Sequence, residues 1–285
     1  MAQLPPEQLD FLIQFIHPEK SLASMPGIGA TEFAALFELS SEEYRDLRAA
    51  FTNRARQAAE ELLADADFAT RVDRLPFTSG STVVGLGDSI TDDLQSWLEI
   101  LRYLLDLRRP QDNIHIVNAG ISGDTTAQMI SRFLAVVLEE PDWIICMAGT
   151  NDARQHGQTP SKILVSLEET AKNLDMLRNF STTQTSAQWL WLTPATVIPE
   201  QISAHWLIGE GQMMWSNDDL AAIADLMCQR PEPAVDLQPL FGLPADPGLL
   251  LDDGLHPNIA GQKIIARAVG EKLGGTQEMG QSISL

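Results

Sequence analysis

The chain has 285 residues, 39 of them acidic and 19 basic, for a formal net charge of −20, and 44% are hydrophobic. That apolar content supports a buried core and excludes wholesale disorder, and the negative charge argues against nucleic acid and anionic membrane surfaces as partners. Two cysteines, Cys146 and Cys228, cannot supply a disulfide framework or a thiolate zinc site, and read as buried thiols of a reducing compartment.

Met1 to Asp10 carries Glu7 and Asp10 and lacks the basic start and apolar stretch of a secretion signal. No apolar run approaches the roughly 18 residues of a membrane span, so the expected location is cytoplasmic. Residues 1–78 read as an N-terminal helical segment. Leu9, Leu12, Ile13 and Ile16 share one face of a first helix; Pro26, Gly27 and Gly29 interrupt; Phe33, Leu36 and Phe37 begin a second. Ser40 and Glu43 have capping-box spacing and open a long third helix with a stripe of Leu47, Phe51, Ala55, Ala58 and Leu62. The segment is expected to dock on the main domain as a helical hairpin rather than to act as a partner-binding module. A homo-oligomer, if formed, would use these helices, and the pattern leaves open whether they cover a site as a lid.

Residues 79–275 read as one α/β domain and residues 276–285 as a flexible tail. The expected strands are Thr82–Leu86, Ile114–Asn118, Trp143–Ala148, Trp189–Thr193 and Val235–Leu237. The expected helices are Asp93–Leu107, Thr125–Leu138, Ser161–Asn179, Asp218–Cys228 and Ile259–Leu273. Strands apolar on both faces, each followed by a helix, specify a parallel sheet inside a three-layer α/β/α sandwich. Trp189 and Trp191, two apart in a strand, fall on one face and read as core.

Open parallel sheets bind ligands beyond the carboxyl ends of their strands. The loops there read Gly87-Asp88-Ser89-Ile90, Ser122-Gly123-Asp124-Thr125, Gly149-Thr150-Asn151-Asp152 and Asp253-Gly254-Leu255-His256-Pro257-Asn258. Alone, each residue is a helix cap or a turn residue. Together, Ser89 is a nucleophile needing a base, His256 supplies the base, and Asp253, three residues earlier, can orient the imidazole. The backbone N–H of Ser89, the backbone N–H of Gly123 and the Asn151 amide form a candidate oxyanion hole.

In order and spacing these loops resemble the four blocks of the SGNH (GDSL-type) hydrolases, over roughly Ser81 to Leu273. The resemblance implies a five-stranded flavodoxin-like sheet of order 2-1-3-4-5. It also implies hydrolysis of carboxylic esters: short acyl esters, O-acetyl sugars, lysophospholipids or thioesters. Carried over by position, Ser89 is the nucleophile, His256 the base and Asp253 its orienting acid, with Ser89, Gly123 and Asn151 as the oxyanion hole and Asp88 structural. A small-molecule ester is the implied partner, and no cofactor is expected.

Competing motifs are incomplete. Ile90 stands where a dinucleotide fingerprint needs its third glycine, and Thr91 where a lipase elbow needs its second. A metal-dependent phosphatase would want more carboxylates at ligand spacing than Asp88, Asp92 and Asp93 offer. No H-E-x-x-H occurs. The remaining rival is a catalytically weak interaction protein using the N-terminal helices. The stretch Val197–Trp215 carries His205, Trp206, Met213, Met214 and Trp215 and is the candidate substrate-binding loop. Arg154 and His156 are expected in a solvated loop, and His17 and His115 have no functional context.

Overall fold

The computed structural model describes residues 5–17, 19–20, 29–157 and 161–275. The expected interruption at Pro26 and Gly27 and the expected tail 276–285 lie outside the described residues. Helices come first, among them α1 (Pro6–Phe15), α2 (Ala30–Leu36), α3 (Ser41–Leu63) and α4 (Ala66–Asp73). Strand β1 (Thr82–Gly87) leads into α5 (Ser89–Asp92) and α6 (Trp97–Arg108); β2 (His115–Gly120) leads into α7 (Thr126–Ser131) and α8 (Phe133–Leu138). Then follow β3 (Trp143–Met147), α9 (Leu167–Gln184), β4 (Gln188–Leu192), α10 (Pro199–Ala204), α11 (Asn217–Cys228), β5 (Ala234–Val235), α12 (Gln238–Phe241) and α13 (Ile259–Gly274).

The five strands form one parallel sheet of order β2-β1-β3-β4-β5. It is a flavodoxin-like α/β/α sandwich with N-terminal helices added. Strand residues alternate between two apolar layers. Val83, Ile145, Met147, Leu190 and Leu192 pack with α3, α4, α6 and α13. Val84, Leu86, Ile144, Cys146 and Trp191 pack with α7, α8, α9 and α11. Trp189 and Trp191 lie together on the second face, ring centroids 4.7 Å apart. Gly87 pairs with Gly120 on one side and Met147 on the other, so three strands end level and their loops start from one edge.

The N-terminal helices are continuous with this core. Ala55, Ala58, Ala59 and Leu62 of α3 and Phe68 and Val72 of α4 pack with Trp97, Leu101 and Leu104 of α6. Ser40 caps α3 as its spacing predicts, accepting the Glu43 N–H at 3.2 Å while Glu43 accepts the Ser40 N–H at 2.9 Å. Helix α1 departs from its predicted single face. Ile13 joins Phe33, Tyr44 and Phe51 in a small core with α2 and α3, whereas Gln14, Phe15 and His17 are buried on other sides and Ile16 is exposed. The helix is wedged between two surfaces, and a single-face pattern describes only one of them.

Several expected boundaries shift. The helix expected from Asp93 begins at Trp97 behind the Ser96 cap, and the short α5 ends just before the expected start. The helix expected over Thr125–Leu138 breaks at Arg132, whose side chain turns inward to backbone carbonyls. The helix expected from Ser161 begins at Leu167 behind the Ser166 cap, and Lys162–Ile163 instead joins Gln155–His156 and Met213–Met214 in a small antiparallel sheet. Two-residue strands show no periodicity that a sequence could reveal. Cys228, expected buried, is exposed, because it sits at the solvent-facing end of α11; Cys146 is buried in β3, and both are free thiols.

Candidate active site

Asp88 follows β1 and caps α5, its carboxylate accepting the Ile90 N–H at 3.1 Å, which makes Ser89 the first helical residue. Ser89 Oγ lies 2.8 Å from His256 Nε2, and His256 Nδ1 lies 2.5 Å from Asp253 Oδ2. The other Asp253 oxygen accepts the backbone N–H groups of Leu255 at 2.8 Å and His256 at 2.9 Å. One carboxylate thus shapes the turn and orients the imidazole. Gly254 makes the turn possible: its φ is +67°, and a Cβ there would stand 2.6 Å from the Ile198 carbonyl oxygen. Where the proton sits on Nδ1, facing the carboxylate, Nε2 is left to accept from the Ser89 hydroxyl.

Burial tunes these groups. Ser89, Asp253 and His256 are all buried. Burial alone would lower the His256 pKa, but the charge and hydrogen bond of Asp253 outweigh it and hold the imidazole above its ordinary value. Burial would raise Asp253, and His256 in turn holds it below the usual carboxylate range. Asp88, wholly buried, is pushed up to about 6, and Asp93 up to about 7.

Ser89, Ser122, Gly123, Asn151 and His256 border a single cavity of about 220 Å³. Gly123 has φ +87°, and nothing lies within 4 Å of the position a Cβ would take, so its backbone is open on that side. Asn151 donates one amide N–H to the Asp124 carbonyl at 3.2 Å, which leaves the second N–H of that amide free to donate elsewhere. The loops bearing these donors are tied from behind. Asp92 accepts the Ser122 N–H at 3.0 Å and its hydroxyl at 2.9 Å. Asp152 accepts the Thr126 N–H at 3.0 Å, the Thr126 hydroxyl, and the Thr170 hydroxyl at 3.1 Å. Arg132 donates to the Gly87 and Ala119 carbonyls at 3.0 and 2.8 Å and pairs with Asp124 at 2.5 Å.

A family model described as the GDSL-like lipase/acylhydrolase family matches residues 86–264. The chain belongs to that family. As a GDSL-type member it is a carboxylic ester hydrolase. A curated acetylxylan esterase of Geobacillus stearothermophilus is 26% identical over 217 residues, 69% of this chain and 95% of the relative. A solved structure of an acetylxylan esterase from that organism superposes with a TM-score of 0.54 at 23% identity, covering 70% of this chain and 97% of its own. An alpha/beta hydrolase from the metagenome of Lake Arreo, Spain, superposes with a TM-score of 0.53 at 25% identity, with 70% and 97% covered.

Within this GDSL-type hydrolase, Ser89, Asp253 and His256 meet as one hydrogen-bonded chain, and Gly123 and Asn151 border the same cavity. Of the four residues expected to bind substrate, Met213 and Trp215 line the cavity. Trp206 and Met214 are not among the described lining residues. Trp206 packs on Phe11, its ring centroid 6.3 Å away, and Met214 is taken up by pairing with Gln155. Arg154, expected in solvent, lines the cavity, because Leu164 and Val165 fold back on its loop, and its Nε is buried without a hydrogen-bond partner.

The larger omission is α1. Phe11, Phe15 and Ile16 form a wall of the cavity, and the Phe15 ring centroid lies 4.3 Å from that of His256. His17 is buried with Nδ1 2.7 Å from Asp92 Oδ1, and Lys20 Nζ reaches the same oxygen at 2.5 Å. Gln14 donates to Asp93 at 3.0 Å, and Gln262 donates to its other oxygen at 3.1 Å. Two of the three carboxylates weighed for a metal, Asp92 and Asp93, are therefore engaged by side chains, and among the described residues no group of three His, Cys, Asp or Glu could hold a metal ion. Among the described residues no helix is long and apolar enough to cross a membrane.

Proposed function

We propose that the protein hydrolyses small carboxylic esters through an acyl-enzyme on Ser89. His256 takes the Ser89 proton as the hydroxyl attacks the ester carbonyl, and Asp253 stabilises the imidazolium that forms. The Ser89 N–H, the Gly123 N–H and the Asn151 amide hold the oxyanion. His256 then gives its proton to the departing alcohol, and water repeats the sequence on the acyl-enzyme. The observation that carries this reading is the unbroken Ser89–His256–Asp253 chain at the edge of a cavity that Gly123 and Asn151 also border. A cavity of about 220 Å³ is small beside the ~300–1,000 Å³ usual for ligand sites, which favours short acyl groups. Acetyl is the group removed by the relative described as an acetylxylan esterase.

The test is covalent labelling with a fluorophosphonate, alongside hydrolysis of p-nitrophenyl acetate. Stoichiometric modification at Ser89, with turnover lost in a folded Ser89→Ala variant, supports the reading. An unlabelled Ser89, or a Ser89→Ala protein that retains turnover, overturns it.

A further inference from the structure

The leaving-group side of the cavity has its own chemistry, and it comes from a helix outside the residues the family model matches, 86–264. In acyl transfer the carbonyl oxygen turns to the oxyanion donors, while the leaving oxygen must stand within hydrogen-bond reach of His256 Nε2 to receive its proton. The body of the alcohol therefore extends along whatever flanks the imidazole. Two rings of α1 flank it. Phe15 lies against His256 at a centroid distance of 4.3 Å and an interplanar angle of 32°. Phe11 meets it edge-on at 5.9 Å. Ile16 continues the wall, and His205, whose pKa burial pushes down, packs on the outer side of Phe11 at 5.1 Å. The side chains that α1 and the residue after it contribute to the cavity, Phe11, Phe15 and Ile16, have no group to donate to or accept from a sugar hydroxyl.

Resting on the esterase reading above, we infer that Phe11 and Phe15 select esters of apolar alcohols, with an alkyl or aryl body, over esters of saccharide hydroxyls. Burial of alcohol carbons against these rings stabilises the complex and every later state in which the alcohol is still bound. Each methylene taken from water is worth about fourfold in binding, until the small cavity is full.

The experiment is a series of acetates, methyl, butyl and benzyl, with acetylated xylobiose as the saccharide ester, read as kcat/KM because that ratio includes alcohol release. Expected for the wild type is an order of magnitude or more in favour of butyl and benzyl acetate over methyl acetate, with the xylobiose ester below both. In Phe11→Ala the butyl-to-methyl ratio falls by about fivefold, chiefly through KM. In Phe11→Trp, which narrows the wall and keeps the helix apolar, benzyl acetate loses more than methyl acetate. A wild type that prefers acetylated xylobiose overturns the inference, as does a Phe11→Ala enzyme that slows all the esters by one common factor. Ser89 labelling is followed in parallel. Labelling with an unaltered ratio removes this inference alone, whereas absence of labelling removes the esterase reading beneath it.

Discussion

His17 Nδ1 and Asp92 Oδ1 lie 2.7 Å apart, and through that contact the N-terminal segment is tied to the loop that carries Ser122 and Gly123. The second oxygen of Asp92 holds Ser122, the residue before Gly123. Burial would raise the Asp92 carboxyl, but His17 and Lys20 more than offset it and hold the group below the usual carboxylate range. Asp92 is thus a charged strut between the residues that follow α1 and the loop that carries Ser122 and Gly123. Removing His17 leaves a buried carboxylate with fewer partners, a defect of about 1–3 kcal/mol. His17→Ala is expected to lower kcat by about tenfold with little change in KM, because a displaced oxyanion donor costs the transition state more than the bound ester. His17→Asn, whose amide N–H can take the Nδ1 position, should recover most of the loss. An equal fall for both variants would show a packing role only.

Asn151 offers a cleaner separation of binding from chemistry. Its amide is held by the Asp124 carbonyl and borders the cavity beside Gly123. Asn151→Ala should cost about 2.7–4 kcal/mol of transition-state stabilisation, a hundredfold or more in kcat. Steady-state kinetics on p-nitrophenyl acetate would check this, with fluorophosphonate labelling slowed as well because the same donors serve that adduct.

The pH dependence follows from His256. Only the neutral imidazole can take the Ser89 proton, and the Asp253 charge holds the imidazole pKa above its ordinary value. Raised pKa means that the inactive protonated form persists to higher pH. The limb of kcat/KM should therefore fall on acidification with a midpoint above ~6.5, the ordinary histidine value. Asp253→Asn removes the charge, moves that midpoint down and lowers kcat by about 10⁴-fold. A midpoint unmoved by Asp253→Asn would count against the pairing.

The turn carrying His256 is the place where a small change does most structural harm. Gly254 sits at φ +67° with the Ile198 carbonyl 2.6 Å from a would-be Cβ. Gly254→Ala should destabilise the fold by about 1–3 kcal/mol, measured as a lower thermal midpoint. Activity should fall further than stability accounts for, since Asp253 and His256 lie on either side.

Chelation supplies the last test. Asp92 and Asp93 are engaged by His17, Lys20, Gln14 and Gln262. Turnover after dialysis against EDTA should match the untreated enzyme, and a large loss restored by a divalent ion would revive a metal-dependent mechanism.

The order of apolar runs and helices determines a parallel sandwich, because a strand apolar on both faces must be covered on both. The three side chains that meet as one hydrogen-bonded chain were legible for a related reason. Ser89, Asp253 and His256 each sit in a short loop after a predicted strand or before a predicted helix, and parallel topology sends such loops to one edge. Arg132 left no comparable signal, being one arginine inside a helical pattern that its own inward turn breaks. The same holds for Arg154, whose place on the wall depends on a small sheet of two-residue strands.

Residues 6–20 mark the boundary between the two kinds of knowledge. Their sequence specifies an amphipathic helix, since periodicity reports that a face is buried. It does not report against what. That Phe15 covers His256, and that His17 reaches Asp92 across 75 positions of chain, was decided only when α1 was wedged between α3 and the sheet edge. Contacts so distant in sequence follow from the packing of whole elements, and no local pattern encodes the partner.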